Sequence, residues 1–109
     1  MDKLDALSSF AALAQETRLD VLKLLIKAGE QGLSAGEIGE RLSIKQNTMS
    51  ANLAVLARTN LVSNKREGRS IRYYANFVGI RELIGFLMED CCGGNPEICE
   101  PLLEQMKCP

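Results

Sequence analysis

The sequence predicts a mainly α-helical domain that carries one small β-hairpin, an α+β arrangement. Three observations predict it. Apolar residues recur at helical spacing through the first half of the chain and again from residue 80 to 88. Between 61 and 75 the period changes to strict alternation. A glycine separates the two alternating runs, where a tight hairpin needs one. The chain has 109 residues, of which 46% are hydrophobic and 25% charged, the range of a single globular domain.

Leu4, Leu7, Phe10, Ala11 and Leu13 form the first helical stripe. A second helix follows over 16 to 28 with Leu19, Leu22, Leu25 and Ile26, and Gly29 offers a left-handed stop. Ser34-Ala35-Gly36-Glu37 reads as a capping box, in which each side chain satisfies a backbone donor at a helix start. The helix it opens turns Ile38 and Leu42 inward, and Ser43-Ile44 makes a short turn. In the next helix, 45 to 58, Met49, Leu53 and Leu56 share the buried face. At about 100° per residue, Asn47, Ser50, Ala51, Ala54 and Arg58 fall on or near the opposite face. That face is small and polar, suited either to close approach in a DNA major groove or to ordinary solvent. Val62, Asn64 and Arg66 alternate with Ser63 and Lys65, and Ile71, Tyr73 and Ala75 with Arg72 and Tyr74, around Glu67-Gly68-Arg69. Asn76 is placed to cap a last long helix to about Asp90, with Ile80, Leu83, Ile84, Leu87 and Met88 as its apolar stripe.

A basic hairpin behind two short helices is the layout of a winged helix-turn-helix. Charge supports it. The net charge of −1 hides an asymmetry: residues 41 to 72 hold seven basic side chains against Glu67 alone, a net of +6, so the remainder carries −7. Such a stripe is the electrostatic footprint of nucleic acid, although a solvated basic surface has the same composition. Gln46, Asn47, Thr48, Ser50 and Asn52 are expected to face or flank the groove, with Lys45 at the helix start. Lys65, Arg66, Arg69 and Arg72 are expected to hold the DNA backbone, which positions the protein rather than reading sequence. One reading head covers few base pairs, so a two-fold homodimer through the first and last helices on double-stranded operator DNA is expected.

No run of about 18 apolar residues exists, so no membrane partner is expected. Met1-Asp2-Lys3-Leu4-Asp5 has neither the basic stretch nor the apolar core of a signal peptide, which predicts a cytoplasmic protein. In that compartment four cysteines point to metal or redox chemistry rather than structural disulfides. Cys91, Cys92 and Cys99 cluster in a tail with Gly93, Gly94 and Pro96, and the chain has no histidine. Three sulfurs without imidazole suit a thiophilic ion better than a mixed-ligand zinc centre. Gly93-Gly94 lets the backbone turn sharply, and Asn95-Pro96 starts a new turn that returns Cys99 toward the pair. Residues 1–90 thus read as the DNA-binding and dimerisation domain and 91–109 as a cysteine-containing tail, with Cys108 a spectator near the end.

The order of elements resembles the ArsR/SmtB family of metal-responsive repressors over about residues 3 to 90. Three stretches carry the resemblance: Phe10 to Leu19, Gln46 to Leu56, and Arg66 to Tyr74. The family usually has Asp-Pro before Thr17-Arg18, where Gln15-Glu16 stand, Ser where Lys45 stands, and Arg-His before Leu53, where Ala51-Asn52 stand. These departures bear on operator sequence, not on fold. The resemblance implies a homodimeric repressor that leaves its operator when an effector binds. One arsenic site of the family uses cysteines in the helix before the turn, which here, from Ala35 to Leu42, has none. The zinc site of the last helix needs histidine and is absent too. The C-terminal cysteines look like the arsenic-responsive branch with paired thiols at the end of the last helix and a third soon after.

Charge agrees with that ion. Glu89, Asp90 and Glu97 surround the thiols and resist thiolate formation, so the thiols are expected to be poor nucleophiles without metal. Arsenic(III) with three thiolates is formally neutral, whereas zinc with four would leave −2 in an acidic setting. Arsenic(III), with antimony(III) alongside, therefore ranks above zinc, cadmium or lead as effector, with no organic cofactor. The alternative is a thiol redox or persulfide sensor on the same scaffold. A thiol enzyme needs an activated cysteine near a base or anion pocket, and the acidic, histidine-free tail offers neither.

Overall fold

The computed structural model describes residues 1–89 and 96–105, and within the last helix the side chains of residues 96, 98, 99, 102 and 103 are outside the description. Helix α1 spans Lys3–Leu13 and α2 spans Glu16–Ala28; a short 3-10 turn over Gly29–Gln31 leads to strand β1 at Leu33–Ser34. Helices α3 (Ala35–Leu42) and α4 (Gln46–Ala57) follow, then strands β2 (Val62–Glu67) and β3 (Ser70–Ala75), helix α5 (Phe77–Leu87) and helix α6 (Pro96–Gln105).

Local chemistry sets the helix ends. Asp2 and Asp5 form a capping box on α1, and Ser34 and Glu37 form the expected one on α3. Asn76 accepts from the Gly79 amide to start α5, which ends at Leu87, three residues short of the expected end at Asp90. Ser43 closes α3 in a left-handed conformation (φ 56°, ψ 45°), so the turn to α4 is only Ser43-Ile44-Lys45. Gly39 suits that tight turn, because a Cβ there would stand 3.1 Å from the Ile44 carbonyl oxygen, besides displacing the Gln46 amide.

The hairpin closes through Gly68-Arg69, with Glu67 opposite Ser70. Gly68 has φ +61° while Arg69 does not have positive φ, the pattern of a type II′ turn. Strand β1 is an addition to the sequence reading: its two residues pair antiparallel with β3, Leu33 opposite Tyr73 and Ser34 opposite Arg72, giving the order β1-β3-β2. Two residues are too short to show a period, so only the tertiary pairing reveals them.

The core gathers Val21, Leu22, Leu25, Leu33, Ile38, Met49, Leu53, Leu56, Leu61 and Leu83. Helix α1 meets it through Ala6, Ser9 and Ala12, so its apolar stripe points away: Leu4 is 74% exposed and Leu7 54%. Leu19 and Ile26 of α2 are exposed as well, while Val21 takes the inward place. Helix α5 buries Leu83 and Gly79 but exposes Phe77, Val78 and Leu87. Among the described residues no helix is long and apolar enough to cross a membrane.

Candidate nucleic-acid interface

Helix α4 turns Met49, Leu53 and Leu56 into the core, and its other side is fully open. Gln46, Asn47, Thr48, Ser50, Ala51, Ala54 and Arg58 are exposed, as the helical period predicts. Lys45 is the N-cap residue of the helix and is exposed. Asn47 Oδ1 accepts from the Thr48 amide at 2.8 Å, and Gln46 Nε2 donates to the Ala35 carbonyl at 3.4 Å. Ser50 and Thr48 present hydroxyls from a face free of bulk, which matches direct contact with base edges.

Strand register divides the basic residues of the hairpin. Val62, Asn64 and Arg66 lie opposite Ala75, Tyr73 and Ile71, and this face continues into the core. Ser63, Lys65 and Glu67 lie opposite Tyr74, Arg72 and Ser70 on the outer face. A groove of about 500 Å³ joins α4 to the hairpin, with Ser50 and Ala54 on one wall and Arg69, Ser70 and Ile71 on the other. Arg69 therefore lines the groove beside α4, and Arg66 lies on the strand opposite Ile71, which also lines it. Arg66 Nε donates to the Gly68 carbonyl at 3.3 Å but the side chain remains exposed. Lys65 is exposed on the outer face.

Two residues expected to contact DNA, Arg72 and Asn52, make hydrogen bonds within the protein. Arg72 Nε donates to Glu67 Oε1 at 2.9 Å, and Nη1 donates to the carbonyls of Gln31 (3.0 Å) and Gly32 (3.2 Å). Its Nη2 lies 3.6 Å from Glu37 Oε1. The hydrogen bond to Glu67 raises the guanidinium's pKa above its ordinary value, and the side chain fastens the wing to the turn before β1 and to α3. Asn52 is 8% exposed: it sits on the inner side of α4, with Oδ1 accepting from Arg18 Nη1 and Nδ2 donating to the Thr48 carbonyl. At about 100° per residue, residue 52 falls within about 70° of the centre of the Met49-Leu53-Leu56 stripe, so the helical period already turns it inward, and the distant Arg18 supplies its partner.

Glu37 was read only as a cap. Hydrogen bonds from the Ser34 amide and then the Ser34 hydroxyl hold its carboxyl below the usual carboxylate range, with Arg72 and Arg41 adding to the shift. One carboxylate thus caps α3 and receives the wing clamp. Gly39 in the middle of α3 was the available signal for the close approach at the turn.

Cys91 and Cys92 lie outside the described residues, as does Cys108. Cys99 falls within α6, a helix of ten residues where the sequence suggested a short turn. Among the described residues no group of three or more histidine, cysteine or acidic side chains is arranged to hold a metal ion.

A helix-turn-helix domain model, HTH_20, matches residues 13–63, from the end of α1 through the reading helix. The transcriptional activator HlyU of Vibrio cholerae is 32% identical over 84 residues, 77% of this chain and 75% of that protein. An ArsR-like transcriptional regulator from Rhodococcus superposes with a TM-score of 0.70 at 27% identity, covering 94% of this chain and 92% of the other. The homodimeric winged helix-turn-helix DNA-binding domain Mb0332 of Mycobacterium bovis, a possible ArsR-family regulator, superposes with a TM-score of 0.62 at 27% identity, covering 79% and 80%. These relatives are transcriptional regulators, and with them the chain belongs to the ArsR/SmtB-type family of winged helix-turn-helix regulators.

Proposed function

We propose that this protein is a cytoplasmic, homodimeric transcriptional repressor that binds double-stranded operator DNA and is released from it by arsenic(III), with antimony(III) as a second effector. The observation that carries the DNA-binding part is the groove that joins the open face of α4, at Ser50 and Ala54, to Arg69 at the tip of the wing, with Arg66 exposed on the strand opposite Ile71. Lys45, Gln46, Asn47, Thr48 and Ser50 would meet the major groove and its flanking phosphates, while the wing would hold the backbone. The dimer is supported by the exposed apolar residues of α1 and α5, Leu4, Leu7, Phe77, Val78 and Leu87, which water does not favour.

The effector part is supported by the donor set. Cys91, Cys92 and Cys99 supply three thiols within nine residues of a chain without histidine, and three thiolates neutralise a trivalent ion. These positions follow α5 rather than α4, so release would be allosteric. The ion would have to bind the DNA-free form more tightly than the DNA-bound form, because equal affinity shifts no equilibrium. Fluorescence anisotropy on labelled operator duplex tests the whole reading. Arsenite is expected to release DNA from the wild type and not from the Cys91→Ser/Cys92→Ser/Cys99→Ser variant. Release from that variant removes the cysteine assignment, and release by oxidant alone favours a redox sensor.

A further inference from the structure

A part-buried polar bridge links α1, α2 and α4 beneath the open face of α4. Ser9 and Asn52 are the buried polar side chains among the described residues, and Asn52 lies among Met49, Leu53 and Leu56 on the inner side of α4. Its Oδ1 accepts from Arg18 Nη1 at 3.2 Å and its Nδ2 donates to the Thr48 carbonyl at 3.1 Å. The same guanidinium donates through Nε to the Ala12 carbonyl at 2.6 Å. Ala12 is in the last turn of α1, where carbonyls lack a helical donor and the helix dipole favours a cation. Arg18 is itself held at the start of α2, where its amide donates to Gln15 Oε1 at 2.8 Å. One side chain therefore ties the ends of α1 and α2 to the middle of α4.

We infer that Arg18 and Asn52 are positioning residues that set the rotation of the reading helix α4 against α1. Apolar contacts tolerate a small rotation of a helix, but a satisfied buried hydrogen-bond network has one geometry. Thr48, whose carbonyl accepts from Asn52, is on the exposed side of the same helix, so the bridge ends one residue from the face that would read bases. The exposed apolar side of α1 would belong to the dimer frame. The bridge then makes the direction of each reading head a property of that frame, which matters when two heads must meet half-sites at fixed spacing. The inference rests on the proposed reading of α4 as the DNA-reading helix and of α1 as part of the dimer frame.

The test uses the full chain, an operator duplex selected by the wild type from a random pool, and a random-sequence duplex of equal length. Selectivity is the ratio of the two affinities. Asn52→Leu and Arg18→Met are each expected to lower selectivity about tenfold, the scale of one misplaced base contact. Both should leave the dimer and the salt slope unchanged. The double variant should lose no more than either single one, since both break the same bridge. Asn52→Asp keeps the acceptor for Arg18 and should restore most of the selectivity. Wild-type selectivity in Arg18→Met overturns the inference, and so do additive losses, which would make Asn52 a direct base reader. Should these variants not fold, Arg18→Lys keeps one charged donor and should retain intermediate selectivity; wild-type selectivity there overturns the inference as well. Amide NMR spectra without DNA separate this failure from that of DNA binding. The variants should shift the Thr48, Ser50 and Ala51 signals in a common pattern, and absence of that pattern removes the bridge even if the wild type binds no duplex.

Discussion

Replacing Arg66 and Arg69 together with glutamine should flatten the salt dependence of DNA binding while leaving the fold intact. Both side chains are exposed; Arg69 lines the groove beside α4, and register puts Arg66 opposite the groove-lining Ile71. If each guanidinium neutralises one phosphate, a dimer loses four contacts. At about 0.9 per phosphate, the slope of log affinity against log salt should become shallower by about 3.6. Between 50 and 200 mM salt the wild type would then lose roughly 150-fold more affinity than the variant. Arg72→Gln is the internal control. Its guanidinium is bonded to Glu67, Gln31 and Gly32, so its loss should lower the melting temperature and leave the slope unchanged. Anisotropy titrations at four salt concentrations, with thermal melts alongside, give both readouts. An unchanged slope in the Arg66/Arg69 variant, or a flattened one in Arg72→Gln, would refute the division of the wing into a DNA-facing and a structural side.

Other consequences follow from single contacts. Ser34→Ala removes the hydroxyl that accepts from the Glu37 amide at 3.2 Å and should cost about 1 kcal/mol, read as a drop in melting temperature of several degrees. The carboxyl of Glu37 titrates lower in the folded state than in the unfolded one, so the stability it contributes is complete above its ordinary value of 4.5 and is lost as pH falls through the folded value. Glu37→Gln should therefore flatten the acid limb of a stability-against-pH curve, and an unaltered limb would show that the Ser34 contacts do not act. Gly79→Ala places a Cβ against the Asn60 backbone carbonyl, which cannot swing aside, and should destabilise by about 1–3 kcal/mol in denaturant unfolding. Leu7→Glu, at a position 54% exposed on α1, should leave the melting of the single domain little changed but shift sedimentation from dimer to monomer.

Much of this protein was legible in short stretches of chain. The Ser34–Glu37 box, the Asn76 cap and the Gly68 turn each involve residues at most three apart, so local chemistry determines them wherever the chain goes. The exposed face of α4 was legible too, because one buried stripe fixes the opposite side of a helix. The donor chemistry of the cysteine cluster is a matter of composition and spacing alone, and it stands as the proposed input of the switch.

Tertiary structure decided the roles of residues whose partners are remote. Arg72 finds its partner at the Gln31 carbonyl, 41 positions away, and Asn52, already turned inward by the helical period, finds its partner in Arg18, 34 positions away. Strand register, not the count of basic residues, decides that Arg66 and Lys65 lie on opposite faces of the wing, and the groove beside α4 takes in Arg69. The two-residue strand β1 exists only because β3 lies beside it. The stripe of α1 was visible as a stripe, but which side meets the core depends on small residues that fit closely there, Ala6, Ser9 and Ala12, and that choice leaves Leu4 and Leu7 open. A sequence by itself determines what each residue is able to bond; the fold decides which partner is near enough to be chosen, and a buried or charged group takes the nearest one that satisfies it.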